Sequence, residues 1–432
     1  MSEQLKVVWI CFISNNKIRE RIKSSRFYYK KIIARLIHKY LPIPTDYPIW
    51  TTNAVREFEK FKDIDLTIIF PHPGISGSVQ RFEINDIKYI CFRPQDDNLL
   101  SFLQRRLLKK MEWKYNKHRR LISKLIRDIR PDLVHLIGAE NPAYSISLLD
   151  CPKDIPTVTS LQTLMSSPGF LENYPISRED YEMRSCIEQA VIKRSDYLAQ
   201  RSEIIRKEIR NSIKPDAIFL RMTVAIGVDI NTNHGLKEYD FVYFAKSVDK
   251  AGEDAIESFA IVCKKYPSLK LNISGDCPET FRESMDYRLQ ELGIKQNVIF
   301  TGSKETHEDL LRQIKRSRFA VLPLKVDLIS GTIREAMACG LPVVTTITPA
   351  TPSLNTDRES VLLSEKNDHQ AMADNMLRLI EDTDYAKLIT QNALKTVAER
   401  FSNSVFMQEW RRTYYEIVDN FKTGKPFSKD LI

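Results

Sequence analysis

Short, unbroken apolar runs alternate with stretches of helical periodicity along most of the chain, and this constrains the fold more than any other feature. The first series is LKVVWICFI (5–13), LTIIF (66–70), KYICF (88–92), DLVHLI (132–137) and PTVTSL (156–161), with weaker runs at DYLAQ (196–200) and AIFLRM (217–222). The second is DFVYFAK (240–246), LKLNIS (269–274), NVIF (297–300), FAVLPL (319–324), PVVTT (342–346) and VLLS (361–364). Helical spacing fills the gaps, as in EDAIESFAIVCKKY (253–266). Strands apolar on both sides are buried on both faces, the condition of a parallel sheet covered by helices. Two series predict two successive α/β units in 432 residues. The join falls at the Gly- and Asn-rich TVAIGVDINTNHG (223–235), giving units 1–222 and 223–400. Residues 401–432 hold a long helical pattern opening at Ser402, an N-cap residue type, and a tail, TGKPFSKDLI, that reads as loose.

Charge separates the halves. Residues 1–222 carry 38 Lys/Arg against 26 Asp/Glu, whereas 223–432 carry 27 against 30. The front half is therefore the surface for an anionic partner. Two segments concentrate the charge: 17–41 has nine Lys/Arg and one acid, and 103–130 has eleven against two. Apolar residues recur through 17–41 at helical spacing, which suits an anionic membrane surface, or an apolar stripe packed on the sheet with its charges in water. No recognisable nucleic-acid motif accompanies the charge, so nucleic acid is not expected as a partner. The seven scattered cysteines form no metal or disulfide framework. With no leader and no apolar run long enough to span a bilayer, the expected location is cytoplasmic, peripheral at most on the inner face of the plasma membrane.

The densest chemistry lies in DLISGTIREAMACGLPVV (327–344). It follows the strand FAVLPL, and open parallel sheets bind ligands at their carboxyl ends. Gly331 permits close backbone approach. A helix over 332–339 makes the amides of Gly331, Thr332 and Ile333 helix-start donors, suited to a phosphate or a sugar hydroxyl. Asp327 and Glu335 flank them as acceptor-only carboxylates. That set suits a polyhydroxylated, phosphorylated ligand such as a nucleotide sugar. A solvated acid beside an ordinary helix acid is the plain alternative.

Residues 240–365 resemble the nucleotide-binding half of retaining GT-B glycosyltransferases of the family 4, or group 1, type. These serve in sucrose, lipopolysaccharide and capsule synthesis. The family's Glu-x7-Glu and EAMACGxPVV appear here as Asp327, Glu335 and AMACGLPVV. The resemblance implies that Asp327 contacts the donor sugar and Glu335 the ribose. FAKSVDKAGEDAIESFA (244–260) resembles the family's diphosphate-holding stretch, which implies that Lys246 and Lys250 grip the leaving group; Lys246 stands where the family has Arg. The tripeptide SGD (274–276) and the run FTGS (300–303) match loops lining the diphosphate and base, which brings in Gly275, Gly302 and Ser303. The implied fold is α/β, two facing Rossmann-like domains with the last helix crossing back to the first. The implied reaction is metal-independent, retaining transfer of a hexose or N-acetylhexosamine to a glycan or lipid-linked glycan. No cofactor is implied; the UDP- or GDP-sugar is a substrate. On the acceptor side, Glu140, Gln162 and Arg201 fall at strand ends of the front half, while His135 reads as a core histidine. DID (63–65) and DTD (382–384) read as solvated turns rather than metal sites. A nucleotide-sugar epimerase or phosphorylase on this fold, and a non-catalytic nucleotide-sugar-binding protein, are the alternatives.

Overall fold

A computed structural model of the chain describes residues 4–23, 46–72, 75–94, 115–167, 176–222, 227–232, 235–248, 251–325, 330–348 and 350–432. The chain divides into one unit of Met1–Leu41, Trp50–Ala225 and Ser404–Ile432, and another of Pro42–Ile49 and Ile226–Asn403.

The first unit is built on β1 (Leu5–Ile10), β2 (Ile64–Pro71), β3 (Val79–Ile84), β4 (Ile87–Phe92), β5 (Leu133–Ile137), β6 (Thr157–Ser160), β7 (Tyr197–Ala199) and β8 (Ile218–Leu220). Their order is β3-β4-β2-β1-β5-β6-β7-β8. All neighbours run parallel except β3, which pairs antiparallel with β4. Sequence reading found every strand but β3. Its signal is Asn85-Asp86, both at positive φ, the two-residue primed turn that matches strand twist.

The second unit holds β9 (Tyr239–Ser247), β10 (Leu271–Asp276), β11 (Val298–Phe300), β12 (Ser317–Leu322), β13 (Val343–Thr346) and β14 (Leu362–Ser364). All are parallel, in the order β11-β10-β9-β12-β13-β14. Phe241, Phe259 and Phe319 form an aromatic cluster in its core.

The C-terminal helix, Asn403–Thr423, closes the first unit. Trp9 Nε1 donates to Tyr414 Oη at 2.9 Å, and the hydroxyl lies 2.6 Å from His135 Nδ1. His135 Nε2 is 2.7 Å from Ser160 Oγ. An indole only donates, so the tautomer that satisfies every group has Tyr414 donating to Nδ1 and Nε2–H donating to Ser160. His135 is thus the core histidine its strand position predicts. Asp63, read as a solvated turn residue, instead holds the helix through Arg411 Nε at 2.9 Å and the Tyr415 hydroxyl at 2.7 Å. Asp382, the other such aspartate, caps the helix Thr383–Arg400 by accepting from the Tyr385 amide.

The tail is not loose. Leu431 is buried and its carbonyl accepts from the Arg221 amide, while Asp430 pairs with Arg412. An apolar residue this close to the terminus found a pocket, and that overrode its polar surroundings.

Of the basic segment 103–130, the described helix Asn116–Ile129 sets Ile122, Leu125 and Ile126 into the core. Its apolar stripe is used in folding, and only its basic face meets water. Residues 24–41 of the other basic segment lie outside the described residues. Among the described residues no helix is long and apolar enough to cross a membrane.

Candidate active site

In a parallel sheet the ligand crevice lies outside the carboxyl ends where strand order reverses. In the second unit that point is between β9, which leads to β10 and β11 on one side, and β12, which leads to β13 and β14 on the other. The residues singled out in sequence follow these strands.

Lys246 lies exposed at the end of β9. Gly275 sits at the end of β10 with φ +144°, and a Cβ there would stand 2.0 Å from the Ala245 carbonyl oxygen. Only glycine lets β10 leave the sheet so close to the Lys246 strand. The Gly275 amide donates to the Gly302 carbonyl at 3.2 Å, and the same carbonyl accepts from Ser274 Oγ. The SGD and FTGS loops are therefore laced into one ledge, with Gly302 at φ +66° and Ser303 half-buried beyond it.

After β12, the helix Gly331–Ala338 starts at Ser330, whose Oγ accepts from the Thr332 amide at 3.3 Å. The Thr332 donor is thus committed to a cap, a correction to its reading as a ligand donor. Gly331 and Ile333 contribute the other first-turn amides. The Ile333 side chain is fully buried, so it anchors the helix and only its backbone can serve a ligand. Asp327 and Lys250 lie outside the described residues. A cavity of about 250 Å³ beside the described flank of the Asp327 loop is lined by Asp254, Lys325, Lys366 and His369.

Glu335 is one turn into that helix, and its Oε1 lies 3.2 Å from His307 Nε2. Sequence reading missed His307, which stands at the start of the helix His307–Ile314 behind the N-cap Thr306. A second missed contact comes from far away in sequence. Asp46 Oδ2 accepts from the His307 amide at 3.1 Å, and the Tyr47 ring lies over the Lys246 ammonium, 3.3 Å from nitrogen to centroid. Both residues belong to the second unit. Adjacent residues are about 3.8 Å apart along the chain. A single dipeptide therefore links the cation of β9 to the histidine that holds Glu335.

The first unit has its own reversal point, between β1 and β5. Glu140 lies just past β5, and burial raises its carboxyl to about 7, helped by nearby Glu188 and opposed by Arg184. Glu140 Oε2 is buried without a hydrogen-bond partner. Glu188 accepts from the Met165 and Ser166 amides at 3.0 Å each, fixing the loop after β6 where Gln162 sits half-buried. Arg201 departs from its acceptor-side reading. Its guanidinium bonds both oxygens of Glu409 at 2.8 and 2.7 Å and the Arg221 carbonyl at 2.6 Å, so it clamps the C-terminal helix. A bidentate partner on a helix distant in sequence satisfies that fork better than open solvent does.

Known proteins share this architecture. Residues 231–396 match the family described as Glycosyl transferases group 1. N-acetyl-alpha-D-glucosaminyl L-malate synthase of Bacillus anthracis is 21% identical over 267 residues, 62% of this chain and 68% of that one. The capsular polysaccharide biosynthesis glycosyltransferase CapM of Staphylococcus aureus is 27% identical over 185 residues, 42% of this chain and 47% of that one. Among solved structures, sucrose-phosphate synthase from Thermosynechococcus elongatus superposes with a TM-score of 0.65 at 14% identity, covering 96% of this chain and 99% of that one. Two parallel-sheet units on this pattern are the GT-B fold, and the family match over residues 231–396 is to glycosyl transferases. The region that matches the Glycosyl transferases group 1 family, residues 231–396, lies within the second unit.

Proposed function

We propose that the protein transfers a hexose or N-acetylhexosamine, with retention, from a nucleoside diphosphate sugar to a glycan or lipid-linked glycan. The observation that carries this reading is the link from Lys246 through the Asp46–Tyr47 dipeptide and His307 to Glu335, beside the reversal point of the second sheet. The names of the two relatives, one an N-acetylglucosaminyl enzyme and one a capsule enzyme, support the sugar and acceptor classes.

The bond from the sugar C1 to the β-phosphate oxygen breaks as the acceptor oxygen bonds to C1 on the same face. The acceptor proton passes to the leaving phosphate. Negative charge grows on that phosphate, so fixed cations and peptide N–H groups lower the barrier most. Lys246 and Lys250 are the cations, and the amides of Gly331 and Ile333 with the Gly275–Gly302–Ser303 ledge line the diphosphate and base. Glu335, oriented by His307, accepts the ribose hydroxyls. Asp327 accepts from the donor sugar. Glu140 and Gln162 receive the acceptor. This division of labour uses no metal, and UDP- or GDP-sugars are the expected donors.

Glu335→Ala removes a charged acceptor and is expected to weaken UDP or GDP binding about tenfold or more. Lys246→Ala should do the same through the phosphate. Calorimetry showing parent affinity in both variants would overturn the assigned roles.

Attachment to the inner face of the plasma membrane is proposed to rest on residues 17–41. The intact chain is expected to float with anionic vesicles and to lose flotation when the basic residues of 17–41 are made neutral. Flotation undiminished by that change removes the segment from the case.

A further inference from the structure

We propose that Asp46–Tyr47 is a strap that covers Lys246 and the start of the His307 helix and is displaced when a nucleoside diphosphate binds. The inference rests on the reading of Lys246 and Glu335 given above. The strap makes two described contacts. Tyr47, 38% exposed, covers the Lys246 ammonium with its ring face, a cation–π contact with the nitrogen 3.3 Å from the centroid. Asp46 places a carboxylate at the positive end of the helix His307–Ile314, with its oxygen on the His307 amide at 3.1 Å. His307 in turn holds Glu335. An aromatic ring on the cation and an anion on the helix start are interactions that a bound nucleotide has to compete with.

Relative strengths decide the order of events. A charge-assisted bond from an ammonium to phosphate is stronger than a cation–π contact at a half-exposed site, so a diphosphate takes Lys246 from Tyr47. The Asp46 carboxylate also repels an incoming anion. Ring and carboxylate both act to lower donor affinity until the strap leaves. Its binding energy in the empty state is subtracted from that of the donor, which makes the segment a threshold on donor concentration.

The probes are UDP and GDP. Tyr47→Ala is expected to tighten binding of one of them about two- to fivefold by calorimetry, the equivalent of a half-exposed cation–π contact. In the parent protein, the same nucleotide is expected to speed hydrogen exchange of the peptide that carries Asp46 and Tyr47. A parent that binds with that peptide unchanged or slowed, or a Tyr47→Ala variant that binds equally or more weakly, overturns the strap. Absence of binding by both proteins overturns the donor reading and the strap with it, a result distinct from binding that ignores Tyr47. Binding by the variant alone is the strongest support.

Discussion

Gly275→Ala is expected to cost about 3 kcal/mol of stability or more and to abolish nucleotide binding. Two effects add. A backbone at φ +144° is one that side chains with a Cβ rarely adopt, and the new methyl would lie 2.0 Å from the Ala245 carbonyl oxygen. That oxygen belongs to the strand that carries Lys246, so relief requires moving the end of β9 or opening the bond from the Gly275 amide to the Gly302 carbonyl. Either movement shifts the ledge formed by the two loops. Gly302→Ala is the control, because nothing lies within 4 Å of its Cβ position and only its φ of +66° is strained. It should cost about 1–2 kcal/mol. Urea unfolding midpoints rank the two variants. Equal losses would show that β10 can retreat from β9, against the geometry described here.

The second large effect is acid destabilisation of the first unit through His135. Burial holds this imidazole at about 3, well below the ordinary 6.5. Between those values the unfolded chain binds a proton that the folded chain refuses, so stability is fully present above pH 6.5 and falls as pH drops toward 3. Each unit of that window removes about 1.4 kcal/mol, so the step from pH 7 to pH 5 takes about 2 kcal/mol from this residue. Urea unfolding of the parent and of His135→Asn at the two pH values isolates the effect, since other groups titrate alike in both. If the two proteins lose the same amount, His135 is protonated in the fold or is not the group responsible. Tyr414→Phe complements this at pH 7. It leaves the Trp9 N–H and His135 Nδ1 without the hydroxyl they share, and a loss of about 1–3 kcal/mol is expected.

Most of the scaffold was readable without coordinates because continuous apolar runs report burial on both faces, a property local to each strand. Each run quoted from the sequence overlaps a strand of the sheets. β3 escaped because it alternates exposed and half-buried residues at a sheet edge, and only the Asn85-Asp86 turn betrays it. The positions of Glu335, Lys246 and Gly275 were legible because each sits at a fixed offset from a strand end. Thr332 and Ile333 were half-legible. Helix-start position is a matter of sequence, but whether an amide is capped or a side chain is buried depends on what packs against it. Arg201 and Asp63 were misread for the same reason, since their partners Glu409, Arg411 and Tyr415 come from a helix about two hundred or more residues further along.

The sequence by itself determined two parallel α/β units and the places of Lys246 and Glu335 beyond their strand ends, because strand periodicity is written within a few neighbouring residues. Tertiary structure alone decided that His307 orients Glu335, that Asp46 and Tyr47 lie across Lys246 and the His307 helix, and that Tyr414 locks His135 and Trp9 together. These contacts join positions tens to hundreds of residues apart, where no local spacing carries a signal and only the closed chain brings the groups within bonding distance.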